Sequence, residues 1–173
     1  MRDPVPADGA DARGIRGGAT PRLVVLGIGN RDRSDDGAGA IVAERVRALL
    51  PEDVRVALLG GGLAGILEAW EGADAAVVVD AVCSGAPAGT VHRVDARSVA
   101  LPAAHASSTH GLGLAQAVEL ARRLGTLPPQ LVVLGIEAAS FAPGDVLSPP
   151  VAAALPALVA RVCAEVRRLR GAS

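Results

Sequence analysis

The sequence contains no lysine and no tyrosine, and it has one phenylalanine and one tryptophan among its 173 residues. Because all 17 cationic side chains are arginines, the chain lacks the lysine that Schiff-base catalysis and nucleotide-binding P-loops require. With so few aromatic residues, the core has to be built from Ala, Val and Leu, and many small aliphatic contacts suit a sheet covered by helices.

Charge and cysteine content exclude further classes of protein. The net charge of −1 provides no basic face for nucleic-acid phosphates, so we expect no nucleic-acid partner. Cys83 and Cys163 are the only cysteines, and residues 1–20 are charged and rich in Gly, Ala and Pro, without the apolar stretch of an export signal. We therefore expect a cytoplasmic protein with reduced thiols, in which a disordered tail at 1–20 precedes one domain at 21–173.

No run of apolar residues is long enough to predict a membrane span. The most apolar stretch, residues 151–160, is about half the required length and is interrupted by Pro156. We therefore expect no membrane partner.

Apolar runs alternate with amphipathic segments along most of the chain. Continuous apolar runs, which are typical of strands buried on both faces, lie at 22–28, 75–82 and 131–137. Further strands are predicted at 54–59 and, as an edge or antiparallel strand, at 90–95. Helices are predicted at 37–50, 63–70 and 112–125 and near the end of the chain. This order predicts a single α/β domain, with an open, twisted, mostly parallel sheet and helices on both faces.

Acidic and imidazole side chains follow several of these strands, at the end where sites form in parallel sheets. Asp35 and Asp36 come after the first strand, Asp80 ends the third, and His110 lies in the loop before a helix. Each of them has an ordinary structural explanation on its own, such as capping a helix. Together, two carboxylates and an imidazole form a ligand set suited to a divalent transition metal. The residues are far apart in the sequence, so their convergence is an expectation.

The other histidines and the first cysteine are weaker candidates for a site. His92 belongs to the alternating strand, and His105 lies in an alanine-rich loop where solvent can surround it. Cys83 has no basic residue placed beside it to activate a thiolate.

A glycine pattern leaves a second class of function open. Residues 60–65, GGGLAG, match the turn of dinucleotide-binding domains, and Asp80 ends the next predicted strand. Two features weaken this interpretation. The helix that follows is short, and the turn does not belong to the first strand–helix–strand unit of the chain. A turn whose backbone approaches another group closely is the safer interpretation.

Six segments in order resemble the hydrogenase maturation endopeptidases, which remove the C-terminal extension of the large subunit of nickel–iron hydrogenases. The segments are "GIGN", "DDGAG", "GG" with Gly65, "DAVCSGAPAGT", "STHGLGL" and "LGIE…LSPPV". The resemblance runs from about Arg22 to Arg170 and leaves out only the tail. It implies that the single α/β domain is of phosphorylase/hydrolase-like type, with an open, twisted, mostly parallel sheet.

The resemblance implies a role for particular residues. Asp36, Asp80 and His110 match the family's metal-contacting, catalytic residues, and Asp35 is left to serve the start of the helix. The implied metal is nickel presented by the substrate, with no organic cofactor.

The resemblance also implies a partner, which is the large-subunit precursor. Gly61 and Gly62 fall in a segment associated with substrate choice, where Gly60 and Leu63 replace an Asp and a Thr of the family pattern. We expect the protein to act as a monomer. Two alternatives stay open: a nucleotide-binding domain that uses the turn at 60–65, and a chaperone that checks nickel loading without cutting.

Overall fold

The computed structural model describes residues 22–99, 101 and 109–171, and for residues 109–112 it describes the backbone alone. The predicted tail at 1–20 and His105 therefore lie outside the described residues. The elements follow one another as β1 (Leu23–Ile28), a 3₁₀ turn (Ser34–Gly37), α1 (Ala38–Arg47), β2 (Arg55–Leu59), α2 (Leu63–Ala69), β3 (Ala75–Val82), β4 (Val91–Asp95), α3 (Thr109–Leu124), β5 (Gln130–Glu137) and α4 (Pro149–Gly171).

The five strands form one sheet in the order β2-β1-β3-β5-β4. β1 pairs in parallel with β2 and β3, and β3 pairs in parallel with β5, whereas β4 runs antiparallel at the edge. This confirms the predicted mostly parallel sheet and its antiparallel edge strand. The chain moves to one side of β1 to form β2 and to the other side to form β3. The crevice between the carboxyl ends of β1 and β3 is therefore the topological switch point, where α/β proteins place their sites.

Helices cover both faces of the sheet, as predicted. α1 and α4 pack on one face, together with Val77 and Val79 of β3, while α2 and α3 pack on the other face with Ala76 and Val78. Because side chains alternate between the faces along a strand, Asp80 belongs to the face covered by α2 and α3.

α4 is the one described helix that is long and apolar enough, by length and composition alone, to cross a membrane. Its apolar side chains form a stripe that packs into the sheet core, and this stripe consists of Val151, Leu155, Leu158, Val162, Val166 and Leu169. The helix continues through the exposed Pro156, and the predicted stripe of the final helix lies on both sides of this residue. Burial of Leu155 and Leu158 on either side compensates for the backbone hydrogen bond that the proline removes.

α3 begins at Thr109, earlier than the helical pattern predicts, and His110 therefore lies in its first turn and not in the preceding loop. Ser, Thr, His and Gly are weak helix formers, which is why this segment resembles a loop in the sequence. Close packing outweighs that preference: a Cβ on Gly113 would lie 2.2 Å from the carbonyl oxygen of Gly61. Glycine alone allows α3 to approach the loop after β2 this closely.

Candidate functional site

The switch-point crevice contains the 3₁₀ turn that follows β1 and the carboxyl end of β3. The start of α1 lies directly against both strands, since a Cβ on Gly39 would sit 2.2 Å from the Ile28 carbonyl oxygen and 2.5 Å from that of Val79. The glycine at this position therefore lets the preceding turn, which contains Asp36, reach the end of β3. Sequence-distant residues Asp36 and Asp80 are brought together in this way.

Asp36 and Asp80 are both almost fully buried, at 1% exposed each. Asp36 Oδ2 accepts a hydrogen bond from the Asn30 amide at 3.1 Å, whereas Asp80 Oδ1 has no hydrogen-bond partner among the described residues. The pKa of Asp80 is raised from 3.8 to about 8, mainly by burial and in addition by the charge of Asp36, while the Ala81 amide opposes the shift. A cation between the two carboxylates would relieve both effects, so this pair is suited to part of a metal site.

Asp35 has a different environment from its neighbour in the sequence. It accepts four hydrogen bonds from the loop between β5 and α4: from the amides of Ala139, Ser140 and Ser148 at 2.7–3.1 Å, and from the Ser148 hydroxyl at 2.8 Å. The 3₁₀ turn has no side-chain cap, so the prediction that Asp35 serves the start of the helix was wrong. Its side chain instead binds the β5–α4 loop through these four hydrogen bonds.

Glu137 is a further buried acid at this edge, and the sequence analysis did not identify it. It ends β5 and is 1% exposed. Its carboxylate accepts hydrogen bonds from the Ser84 amide and hydroxyl, from the Gly85 amide at 2.8 Å, and it lies 3.2 Å from His92 Nε2. Burial raises the pKa of Glu137, but these hydrogen bonds outweigh burial and leave the pKa below its usual value. The signal in the sequence is the same as for Asp80: an acid that ends an apolar run.

Two histidines, His92 and His110, have a described backbone, and they occupy different positions relative to this site. His92 lies in β4 as expected, with its ring beside Glu137. The backbone of His110 lies one turn before Leu114 in α3, and its side chain lies outside the described residues. Among the side chains that are described, no group of three His, Cys, Asp or Glu is placed to hold a metal. The trio of Asp36, Asp80 and His110 therefore stays a prediction.

The glycine turn after β2 borders the same edge of the sheet. Gly61 is buried and has a φ of 84°, and Gly62 is the exposed residue that precedes α2. The turn follows β2, the outermost strand of the sheet, so it lies away from the switch point between β1 and β3 that a dinucleotide would occupy. The helix after the turn, α2, has only 7 residues. Contact of Gly61 with α3 places the turn beside the first turns of the helix that contains His110. The role of Gly61 and Gly62 in substrate binding stays a prediction, and of the two only Gly62 is exposed.

Both cysteines are free thiols and partly exposed. Neither Cys83 nor Cys163 is hydrogen-bonded to a base among the described residues, so the geometry offers no support for a thiol nucleophile.

Fold and site together define a single-domain α/β protein with buried carboxylates at its topological switch point. A family model described as hydrogenase maturation protease matches residues 41–165, a stretch that includes Asp80 and His110. The chain belongs to the hydrogenase maturation protease family.

Individual relatives agree with the family match. The chain is 36% identical over 120 residues to the hydrogenase expression/formation protein HupD of Thiocapsa roseopersicina, which covers 68% of this chain and 54% of that protein. It is 32% identical over 152 residues to the hydrogenase 2 maturation protease of Escherichia coli K12, with 84% and 91% coverage. The chain thus spans about half the length of the first relative and nearly all of the second.

A solved structure shares the fold. The hydrogenase-maturating endopeptidase HybD from Escherichia coli superimposes with a TM-score of 0.74 at 30% sequence identity. The match covers 85% of this chain and 93% of that one.

Proposed function

We propose that this protein is an endopeptidase that removes the C-terminal extension from the nickel-loaded large-subunit precursor of a nickel–iron hydrogenase. Family membership supports the reaction class. The structural observation that supports this proposal is the juxtaposition of the buried Asp36 and Asp80 at the switch point, where two carboxylates repel each other until a cation separates them.

The metal in this proposal is part of the substrate. Nickel arrives bound to the precursor, and Asp36, Asp80 and His110 contact it to check that loading is complete. When bound, nickel polarises the scissile carbonyl. Asp36 keeps its orientation through the hydrogen bond from the Asn30 amide, while Asp80 offers an oxygen without a hydrogen-bond partner among the described residues.

The carboxylates supply the proton transfers of hydrolysis. One of them accepts a proton from the attacking water as its oxygen bonds to the scissile carbonyl carbon. The same group then donates that proton to the leaving amine nitrogen as the C–N bond breaks. We further propose that the enzyme works in the cytoplasm as a monomer, with the precursor as its protein partner and with Gly61 and Gly62 contacting that substrate.

The test is a mass measurement on nickel-loaded precursor incubated with the wild type, Asp36→Asn, Asp80→Asn, His110→Ala and Glu52→Gln. Glu52 is an exposed acid in the turn before β2 and therefore lies at the amino ends of the parallel strands, away from the site. It serves as the matched control. We expect the wild type and Glu52→Gln to shorten the precursor and the three site variants to leave it intact.

Two outcomes would contradict the proposal. An intact precursor in the wild-type sample, with nickel loading confirmed, would exclude the cleavage of that substrate and favour a partner that binds without cutting. Equal cleavage of nickel-free and nickel-loaded precursor would exclude recognition of the metal.

A further inference from the structure

A cavity of about 200 Å³ lies beside Asp80, between the strands β3, β4 and β5 and the helix α3. Its walls are mostly aliphatic side chains, and those that define its shape are Val82, Val94, Leu101, Leu114 and Val133. The neighbouring catalytic proposal does not use this space.

The strand register explains why there is a cavity at this level of the sheet. Asp80 pairs with Gly135, and Gly135 pairs with His92, so the three residues form one row across β3, β5 and β4. Paired residues of neighbouring strands project to the same face, and two strand spacings place the backbones of Asp80 and His92 roughly 10 Å apart. Gly135 contributes no side chain between them, and a Cβ there would already lie 3.0 Å from Val82 Cγ1.

Glu137 removes most of the polar character from this lining. Ser84 and His92 both line the cavity, but the Ser84 amide and hydroxyl donate to Glu137 at 2.7 and 2.8 Å, and His92 Nε2 lies 3.2 Å from the same carboxylate. Among the described lining residues, Asp80 is then the one whose polar side chain is not held by Glu137. The result is an apolar space with one acid at its edge.

The size of the cavity selects among possible occupants. Sites for dinucleotides and drug-sized ligands measure about 300–1,000 Å³, which is more than this cavity holds. A water molecule occupies about 30 Å³ of liquid, and an aliphatic lining offers it few of the partners it needs. One large aliphatic side chain fits both the volume and the chemistry.

We propose that this cavity binds an apolar side chain of the residue on one side of the scissile bond of the precursor. The inference rests on the proposed function, because Asp80 then contacts the reaction centre and the cavity wall at once. A residue directly next to the scissile bond has its Cα within about 4 Å of the neighbouring Cα, so its side chain reaches a pocket that begins at Asp80.

The test of this pocket varies the size of one side chain in the enzyme cavity and of one side chain next to the scissile bond of the precursor. Nickel-loaded precursors carry Ala, Leu, Phe or Asp at each of the two positions that flank the scissile bond, one change at a time. The enzymes are the wild type, Val94→Phe, which fills the cavity, Val94→Ala, which enlarges it, and Val99→Phe, a control at an exposed residue.

At one of the two positions we expect the wild type and Val99→Phe to cut the Leu precursor with a kcat/KM at least about tenfold above that for Ala or Asp. Val94→Phe should lose about tenfold on Leu and stay within about threefold of the wild type on Ala. Val94→Ala should cut a precursor with Phe at that position better than the wild type does. Circular dichroism checks that each variant is folded, and Val94→Ala remains decisive if Val94→Phe does not fold.

Three results would overturn the inference. They are equal rates for Ala, Leu and Asp at both positions, an equal loss on all substrates for Val94→Phe, or an unchanged preference in Val94→Ala. Each of these leaves cleavage by the wild type in place and so contradicts the pocket alone. A wild type that cuts none of the precursors contradicts the proposed function and removes the basis of the pocket with it.

Discussion

The β5–α4 loop and the switch-point crevice both bury a carboxyl group at the carboxyl ends of the strands. The two groups differ in their hydrogen bonds. Asp35 accepts four hydrogen bonds from the loop, whereas Asp80 has an oxygen without a partner among the described residues and a pKa raised to about 8. A buried acid whose oxygens are fully bonded stabilises the fold, while one left unbonded destabilises it and is available to a ligand. The hydrogen bonds therefore separate Asp35, which holds a loop, from Asp80, the acid that we propose for the site, whereas sequence position does not separate them.

The largest expected effect is the loss of precursor cleavage when the acids of the crevice, Asp36 and Asp80, are replaced. Asp36→Asn and Asp80→Asn should lower the rate of precursor cleavage by about a thousandfold or more, because they remove both metal-binding charge and the proposed base. Cleavage is measured by mass spectrometry as above. Asp35→Asn should cut at a rate within about tenfold of the wild type at a temperature where it is folded; an equal loss in Asp35→Asn would erase the distinction.

The next effect concerns the stability that Asp35 provides. Asp35→Ala leaves the donors of the β5–α4 loop unpaired, and we expect it to lower the free energy of unfolding by about 2–4 kcal/mol. For a domain of this size, this corresponds to a fall in Tm of roughly 5–15 °C. Thermal unfolding followed by circular dichroism checks it, with Asp32→Ala as the control, because Asp32 is an exposed acid in the turn between β1 and Asp35. A Tm within 2 °C of the control would show that the loop does not depend on Asp35.

Asp80 should act on stability in the opposite direction. In the metal-free protein the folded state keeps Asp80 protonated up to about pH 8, while the unfolded chain ionises above 3.8. Stability from this group is therefore complete below pH 3.8 and is lost as the pH rises towards and through 8. Asp80→Asn escapes this loss, so it should be more stable than the wild type by at least about 1 kcal/mol at pH 8. Denaturant unfolding at pH 5 and pH 8 measures the change, and a difference that does not grow with pH would contradict it.

The smallest effect belongs to Glu137, whose pH dependence should have the opposite sign to that of Asp80. Its pKa is lowered in the folded protein, so its contribution is complete above the usual value of 4.5 and is lost as the pH falls through the lower, folded-state pKa. Glu137→Gln should cost about 1–2 kcal/mol at pH 7 and less at acidic pH. The same denaturant measurements test this, with Glu52→Gln expected to stay within about 0.5 kcal/mol at both pH values. A constant difference would indicate that the charge of Glu137 contributes nothing.

Strong, local patterns were predicted well. The bounds of β3 match the predicted run at 75–82, and β1 and β5 differ from theirs by one residue, because a continuous run of Val, Ile and Leu has few other low-energy arrangements. The edge strand β4 was also predicted, since its alternating residues fit a strand with one exposed face. The location of Asp36 and Asp80 at strand ends followed from the same patterns.

The failures concern contacts between distant parts of the chain. The start of α3 depends on the packing of Gly113 against Gly61, a contact between residues that are far apart in the sequence. The role of Asp35 depends on a loop more than a hundred residues later, and its side chain ends up in that loop because successive residues of a tight turn point in different directions.

By itself, the sequence determined the class of fold, the two faces of the sheet and the presence of acids at the carboxyl ends of its strands. Periodicity and composition carry this information because burial of apolar side chains acts on every residue of an element at once. Tertiary structure alone decided which acids are bonded and which are exposed to a ligand. That outcome depends on single donors, such as the amides of Ser148 and Ser84, whose positions follow from the packing of the whole chain.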